Sequence, residues 1–298
     1  MNFIRTLTGA SVIVLALGLT ACGGSDGGGI AAIPAAPLTP TPTPTAAALS
    51  VHLITNVSGD TTFAGQGSTF DWQSGGHSQT DPPQVRYVAA TQSYEVKVPS
   101  DTFRTVFPAS SGNPFLIGSG ANPIGSFSDS STAGLSYSNL ISWSASGTTG
   151  GVLAFGIPTS LGNMPVQGSA SYAGLISGFS TEKKYNVWDG DDFLAFVGGT
   201  IGISFNFGAG TLSGSISPVV YGNTQSSLGE IPFKNTVYST GSTTFSGEFD
   251  TAVPGTNNFS GQFTGPAAQE LIGSFAFPYV SLGDGKTYNA SGAFVGKH

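Results

Sequence analysis

Residues 257–277 read NNFSGQFTGPAAQELIGSFAF, and their pattern decides the fold. Phe259, Gly261 and Phe263 alternate with Ser260, Gln262 and Thr264, the period-two arrangement of a strand with one buried face. Gly265-Pro266 interrupts the run, because glycine reaches the positive φ of a turn and proline cannot donate to a sheet ladder. Beyond Glu270 the alternation resumes with Leu271, Gly273, Phe275 and Phe277, so one tight β-hairpin is expected. A glycine among aromatics on the inner face removes a side chain where a tightly curled sheet would be overfilled.

The device repeats upstream. Tyr172-Ala-Gly174-Leu-Ile176, Leu212-Ser-Gly214-Ser-Ile216 and Phe245-Ser-Gly247-Glu-Phe249 keep the same large, glycine, large spacing, and Tyr288, Ala290, Gly292 and Phe294 give a variant near the end. Glycine costs about 1 kcal/mol relative to alanine inside a helix. The C-terminal part of the chain is therefore read as a curved, closed antiparallel sheet.

Composition narrows the function. Only 8% of the 298 residues are Asp, Glu, Lys or Arg, so Ser, Thr, Asn and Gln must keep the surface wet. A net charge of -7 offers no basic footprint for phosphate, which sets nucleic acid aside.

Residues 1–21 carry Arg5 and then an apolar run from Ala10 to Leu19, too short to span a bilayer and shaped like a secretory signal. Leu19-Thr20-Ala21-Cys22 resembles the lipobox of bacterial lipoproteins, which implies cleavage before Cys22, lipidation of Cys22 and, with Gly23 following, sorting to the outer membrane. Cys22 is the only cysteine and has no disulfide partner within the chain. Residues 22–48, rich in Gly and then in Thr-Pro repeats, read as an extended tether.

Residues 49–162 are patterned more weakly. Strands are expected at 49–55, 69–73, 85–89, 94–98, 140–145 and 152–157, with long loops between them.

From Gly156 onward the chain resembles the transferrin-binding protein B family. Gly156, Pro158, Thr159, Met164, Pro165, Gly168, Ala170, Tyr172 and Gly174 follow the order of the family's entry into its barrel. Phe259, Gly261, Phe263, Gly265, Pro266, Ala268, Glu270, Gly273 and Phe275 fill its hairpin motif, and Ala293-Phe294-Val295-Gly296-Lys297 is similar to its closing segment. The resemblance implies an all-β chain: a handle-like β domain over residues 49–162, then an eight-stranded antiparallel soluble β-barrel over residues 163–298.

No nucleophile, base and orienter stand in a recognisable pattern, and no catalytic residue, cofactor or metal is expected. Gly285-Lys286-Thr287 looks like the end of a phosphate loop, but Val280 replaces its first glycine, so a hairpin tip is expected. His52, His77 and His298 lack metal-ligand spacing, and Met164 is read as packing. Trp188-Asp189-Gly190-Asp191-Asp192 lacks the pattern of a calcium loop, and with Glu182-Lys183-Lys184 it reads as a polar loop between strands. Glu270, set among apolar neighbours, is expected to latch the hairpin by accepting N–H groups from the turn at 265–268.

The family resemblance implies a non-enzymatic, ligand-binding lipoprotein of the outer membrane, exposed at the cell surface and anchored through Cys22. Its ligand would be an iron source, haem or an iron-carrying protein, passed on to an outer-membrane transporter. Contact residues are expected in the segments 181–192 and 219–231, namely Lys183, Lys184, Tyr185, Trp188 and Tyr221. The alternatives are an integral outer-membrane barrel and a structural envelope lipoprotein.

Overall fold

A computed structural model describes residues 54, 56–72, 74, 76–78, 82–99, 102–108, 115–119, 122–129, 134–145, 149–185, 192–222 and 224–298. The leader, Cys22, the tether, His52 and Trp188 lie outside the described residues. Among the described residues there are strands and two short 3-10 turns, Leu161–Asn163 and Pro266–Ala268, and no α-helix.

The first ten strands are β1 (Thr61–Thr62), β2 (Ala64–Asp71), β3 (His77–Ser78), β4 (Gln84–Val88) and β5 (Ser93–Lys97), then β6 (Arg104–Pro108), β7 (Phe115–Ser119), β8 (Asn122–Asp129), β9 (Ser138–Ala145) and β10 (Thr149–Gly156). They form one antiparallel sheet in the order β1-β4-β5-β6-β7-β8-β9-β10-β2-β3. β1 and β2 are two halves of one stretch bent at Phe63, and they pair with opposite ends of that order, β4 and β10. The sheet thus curls until this stretch joins its edges, with Phe63 N donating to Val85 O across the bend. Inside sit Phe63, Val85, Tyr94, Val96, Ile141, Leu153 and Phe155, all buried. Four of the expected strands largely overlap β4, β5, β9 and β10, and the one expected at 69–73 meets only the last three residues of β2; the expected strand at 49–55 falls almost wholly outside the described residues, and β6 to β8 were not expected. Pro108, Pro123 and nearby glycines break the alternation that would have marked those three.

The remaining strands are β11 (Ser169–Tyr185), β12 (Asp192–Asn206), β13 (Thr211–Tyr221), β14 (Gln225–Ser227) and β15 (Ile231–Val237), then β16 (Thr244–Phe249), β17 (Asn258–Thr264), β18 (Glu270–Val280) and β19 (Thr287–Lys297). Their order is β12-β11-β19-β18-β17-β16-β15-β13-β14, and β12 also pairs with β13. That last pairing closes eight strands into a barrel, with β14 hanging on β13 as a short extra strand. The expected hairpin is β17 and β18, in the register Phe259↔Phe275, Gly261↔Gly273 and Phe263↔Leu271.

The inner face shows why glycine and phenylalanine alternate. Phe245 stands opposite Gly261, Phe259 opposite Gly247, Phe294 opposite Gly273 and Phe275 opposite Gly292. Each ring lies over the glycine across from it. A Cβ on Gly273 would sit 2.0 Å from Phe294 Cζ, and one on Gly261 would sit 2.4 Å from Phe245 Cζ. Rings and gaps interlock in this way, and Phe205, Phe249, Phe259, Phe263, Phe275, Phe277 and Phe294 are all nearly or wholly buried in one core. Burying each phenylalanine contributes about 1.5–3 kcal/mol.

The outer wall is different. On β11 to β13, Ser171, Thr200, Ser204, Thr211, Ser213 and Ser217 are exposed, whereas a membrane-spanning barrel needs an apolar band there. The outer face of β18 and β19 is covered instead by the first sheet, where Ile272, Ala293 and Val295 pack with Leu140, Val152 and Ala154.

Candidate functional site

The barrel has two ends. One holds the Gly265–Gln269 turn; the other, here the rim, holds the connections β11 to β12, β13 to β14 and β18 to β19. Both bury a carboxyl group.

At the turn end, Glu270 Oε1 accepts from Ser136 N at 2.6 Å, and Oε2 accepts from Tyr137 N at 3.1 Å and from Ser138 Oγ at 2.8 Å. The expected donors were the N–H groups of the turn, and this is corrected: the donors come from the strand start at β9, more than a hundred residues earlier. Within the turn, Pro266 has no N–H and that of Gly265 is already used, and the turn is tied to the segment 157–159. Gly265 N donates to Ile157 O, Thr159 N donates to Phe263 O, and Thr159 Oγ1 donates to Gly265 O. Gly265 has φ of +75°, and a Cβ there would lie 2.6 Å from the Tyr137 ring. Both facts demand glycine. Tyr172 Oη donates to Ala268 O from inside the barrel, and its burial pushes the phenol well above its ordinary range.

At the rim, β11 carries a bulge: Phe179 pairs with Phe196 and Lys183 with Leu194, so three residues of β11 oppose one of β12. Glu182 lies within the bulge, with its carboxyl buried at the barrel mouth. Its Oε1 accepts from Lys184 Nζ at 2.5 Å and from Ser281 Oγ at 2.6 Å, and its Oε2 from Tyr279 Oη at 2.8 Å. Burial pushes this carboxyl up, but the hydrogen bonds from Lys184, Ser281 and Tyr279, with the Lys184 charge, outweigh it and hold the group below its ordinary value. Burial also raises the Tyr279 phenol far above its usual range, helped by the neighbouring Glu182 charge. Glu182 was expected in a polar loop; it is a buried strand residue. The signal was available, since Tyr172, Gly174, Ile176, Gly178, Ser180 and Glu182 share one parity.

The expected contact residues divide at this rim. Lys184 lies over Glu182 with its stem against Gly222. Lys183 is exposed on the next position of β11, and Tyr221 is 37% exposed at the end of β13, its ring 5.7 Å from Phe196. Tyr185 ends β11, and nothing is described of its side chain. Phe193, Val280 and Leu282 add exposed apolar surface at the same end. Gly285 is a hairpin tip, where Asp284 accepts from Lys286 N and from Tyr288 Oη. Met164 is buried in the barrel core, and His298 lies edge-on to Tyr172. Among the described residues no group of His, Cys, Asp and Glu has metal-holding geometry.

Comparison with known proteins identifies residues 164–298 with the family of C-lobe and N-lobe beta barrels of Tf-binding protein B. No curated protein sequence matches the chain. Among solved structures it is similar to Transferrin Binding Protein B of Haemophilus parasuis Hp5, at 17% identity and a TM-score of 0.43 over 79% of this chain and 44% of that one. The haemoglobin receptor HpuA of Kingella denitrificans matches at 13% identity and a TM-score of 0.40, over 83% of this chain and 90% of that one. Transferrin binding protein B of serogroup B Neisseria meningitidis matches at 15% identity and a TM-score of 0.41, over 80% and 43%. The chain thus spans less than half the length of these transferrin-binding relatives. Residues 164–298, a little under half of the chain, match the Tf-binding protein B barrel family, and over that segment the chain is transferrin-binding protein B-like, with one such barrel among its described residues.

Proposed function

We propose that the chain is a lipoprotein of the outer-membrane surface, anchored through Cys22, that binds an iron source without performing chemistry on it. Residues 49–162 serve as the handle and residues 163–298 as the barrel. The ligand is an iron-carrying protein or its haem, handed to an outer-membrane transporter. The observation that carries this reading is the match of residues 164–298 to the Tf-binding protein B barrel family. The core supports it physically: a barrel filled by phenylalanines keeps no central chamber for a small molecule, so recognition falls to outer surfaces and rims. The rim around Lys183, Lys184 and Tyr221, with exposed Phe193, Val280 and Leu282, offers aromatic and apolar anchors of the kind that dominate protein interfaces.

A soluble form spanning residues 49–298, immobilised and exposed in turn to transferrin, haemoglobin and haem, tests the reading. Saturable binding of one of them is expected, weakened by Lys183→Glu and by Tyr221→Ala. No binding of any of the three would sink it and favour the structural envelope role.

A further inference from the structure

Toward the turn end, on the outer wall of the barrel, lies a cleft of about 320 Å³ that the reading above does not use. It exists because β15 and β16 part early. Asn235 takes φ of +47°, the register slips between Lys234 and Val237, and Val237↔Ser246 is the last pair before the chain turns away. Gln66, reaching over from β2, forms the opposite side; Val237, Ser246 and Ser260 form the barrel side, and Ser239 and Thr244 close the end.

The chemistry of this cleft is uniform. No charged side chain lines it, so an ionic ligand would shed its water there without a counter-charge. The polar groups are hydroxyls, each both donor and acceptor, and one amide. Gln66 Oε1 accepts long bonds from Ser274 Oγ at 3.3 Å and Ser260 Oγ at 3.5 Å, while the amide nitrogen has no partner among the described residues. The hydroxyls of Ser239 and Ser246 likewise have none. Two backbone N–H groups beside them are engaged, Thr244 N by Ser242 Oγ and Phe263 N by Thr243 O. Val237, 61% exposed, supplies an apolar patch beside the hydroxyls. A ligand that is uncharged, that presents hydroxyls as donors and acceptors, and that has one apolar C–H face meets all of these conditions. The volume falls within the range of about 300–1,000 Å³ that small ligands occupy.

We propose that the cleft between Gln66 and the parted strands β15 and β16 binds a neutral sugar unit of a glycan. It sits at the end of the barrel away from the rim, so the rim reading and this one stand or fall separately.

The full chain, held in a non-glycosidic detergent, should be titrated with maltotriose, cellotriose, lactose and sialyllactose and followed by saturation-transfer NMR. At least one neutral sugar should bind, with lactose at least as tight as its sialylated form. Gln66→Leu and Ser246→Val, each removing one hydrogen-bonding group, should weaken that sugar about tenfold. Because Gln66 also touches the seam between the sheets, Val237→Asp at an exposed position is the second variant, and it should weaken the neutral sugar without lowering the melting temperature. The proposal is overturned if no neutral sugar binds, if sialyllactose binds tighter than lactose, if a Gly-Ser peptide binds in place of the sugars, or if folded Val237→Asp binds like the parent.

Discussion

The two buried carboxyl groups sit at opposite ends of one barrel and are satisfied by opposite means. Glu270 is held by two backbone N–H groups and one hydroxyl, donors fixed in place by the first sheet. Glu182 is held by the flexible ends of Lys184, Ser281 and Tyr279. Fixed dipoles make a joint, and rotatable side chains make a site that can rearrange. The turn end therefore ties sheet to barrel, while at the rim end only Lys184 of this group reaches partly into solvent above a carboxylate as buried as Glu270.

The comparison breaks first at Glu270. Glu270→Ala leaves the partly buried Ser136 and Tyr137 N–H groups without an acceptor, at about 1–3 kcal/mol each, while Ser138 Oγ keeps Thr264 Oγ1, so a loss of about 2 kcal/mol or more is expected in denaturant unfolding. Glu270→Gln keeps one carbonyl oxygen and should cost less. A variant Glu270→Ala that unfolds like the parent would show that the joint is held by apolar packing alone.

Gly265→Ala comes next. The left-handed backbone costs about 1–2 kcal/mol for a residue with a Cβ, and the overlap with Tyr137 adds about 1–3 kcal/mol. The turn and Tyr137 act on one another, so Gly265→Ala combined with Tyr137→Ala should lose less than the two single changes added together. Strict additivity, measured by the same unfolding curves, would remove Tyr137 from the account.

How much of this was legible follows from where each signal lives. The hairpin and barrel were readable because Phe259, Gly261, Phe263, Gly273 and Phe275 carry a period-two code that a closed sheet alone explains. The need for glycine at 265 was readable for the same local reason. The partners of Glu270 were not: no local pattern says that Ser136 and Tyr137 will present their N–H groups across more than a hundred residues of chain. The Glu182 site failed differently. Its parity points inward, but the neighbouring charges of Lys183 and Lys184 and the acidic run that follows carry the signature of a polar loop, and a bulge leaves no mark in composition. In the first sheet, Pro108 and Pro123 hid three strands that pairing with their neighbours in sequence still supports.

At the rim, effects should be smaller. Tyr279→Phe removes one donor from Glu182 and one partner from Ser180, a loss of about 1–2 kcal/mol at neutral pH. Acid behaviour gives a sharper view. The folded Glu182 carboxyl lies below its ordinary value, so its stabilising contribution is full above the ordinary carboxyl range and disappears as pH falls through the lowered folded value. Lys184→Met removes the hydrogen bond and charge that lower it, so the acid-dependent loss should be smaller and should be complete at a higher pH. Melting temperature against pH for the two proteins decides this, and superimposable acid limbs would remove Lys184 from the account.

The smallest expected effect has the opposite sign and separates backbone strain from packing within the turn. Ala267 and Ala268 both hold positive φ, +53° and +58°, without being glycine. Ala267 is exposed, so Ala267→Gly relieves the strained backbone and loses no buried methyl; about 0.5–1 kcal/mol of added stability is expected, after the entropy of a freer unfolded chain is subtracted. Ala268 is fully buried in the barrel core, and Ala268→Gly should gain nothing, because the lost methyl offsets the relief. If both changes were equally stabilising in thermal unfolding, the Ala268 methyl would carry no packing energy. The turn would then be fixed by its hydrogen bonds, among them those from Thr159 and Tyr172 and that of Gly265 N to Ile157 O.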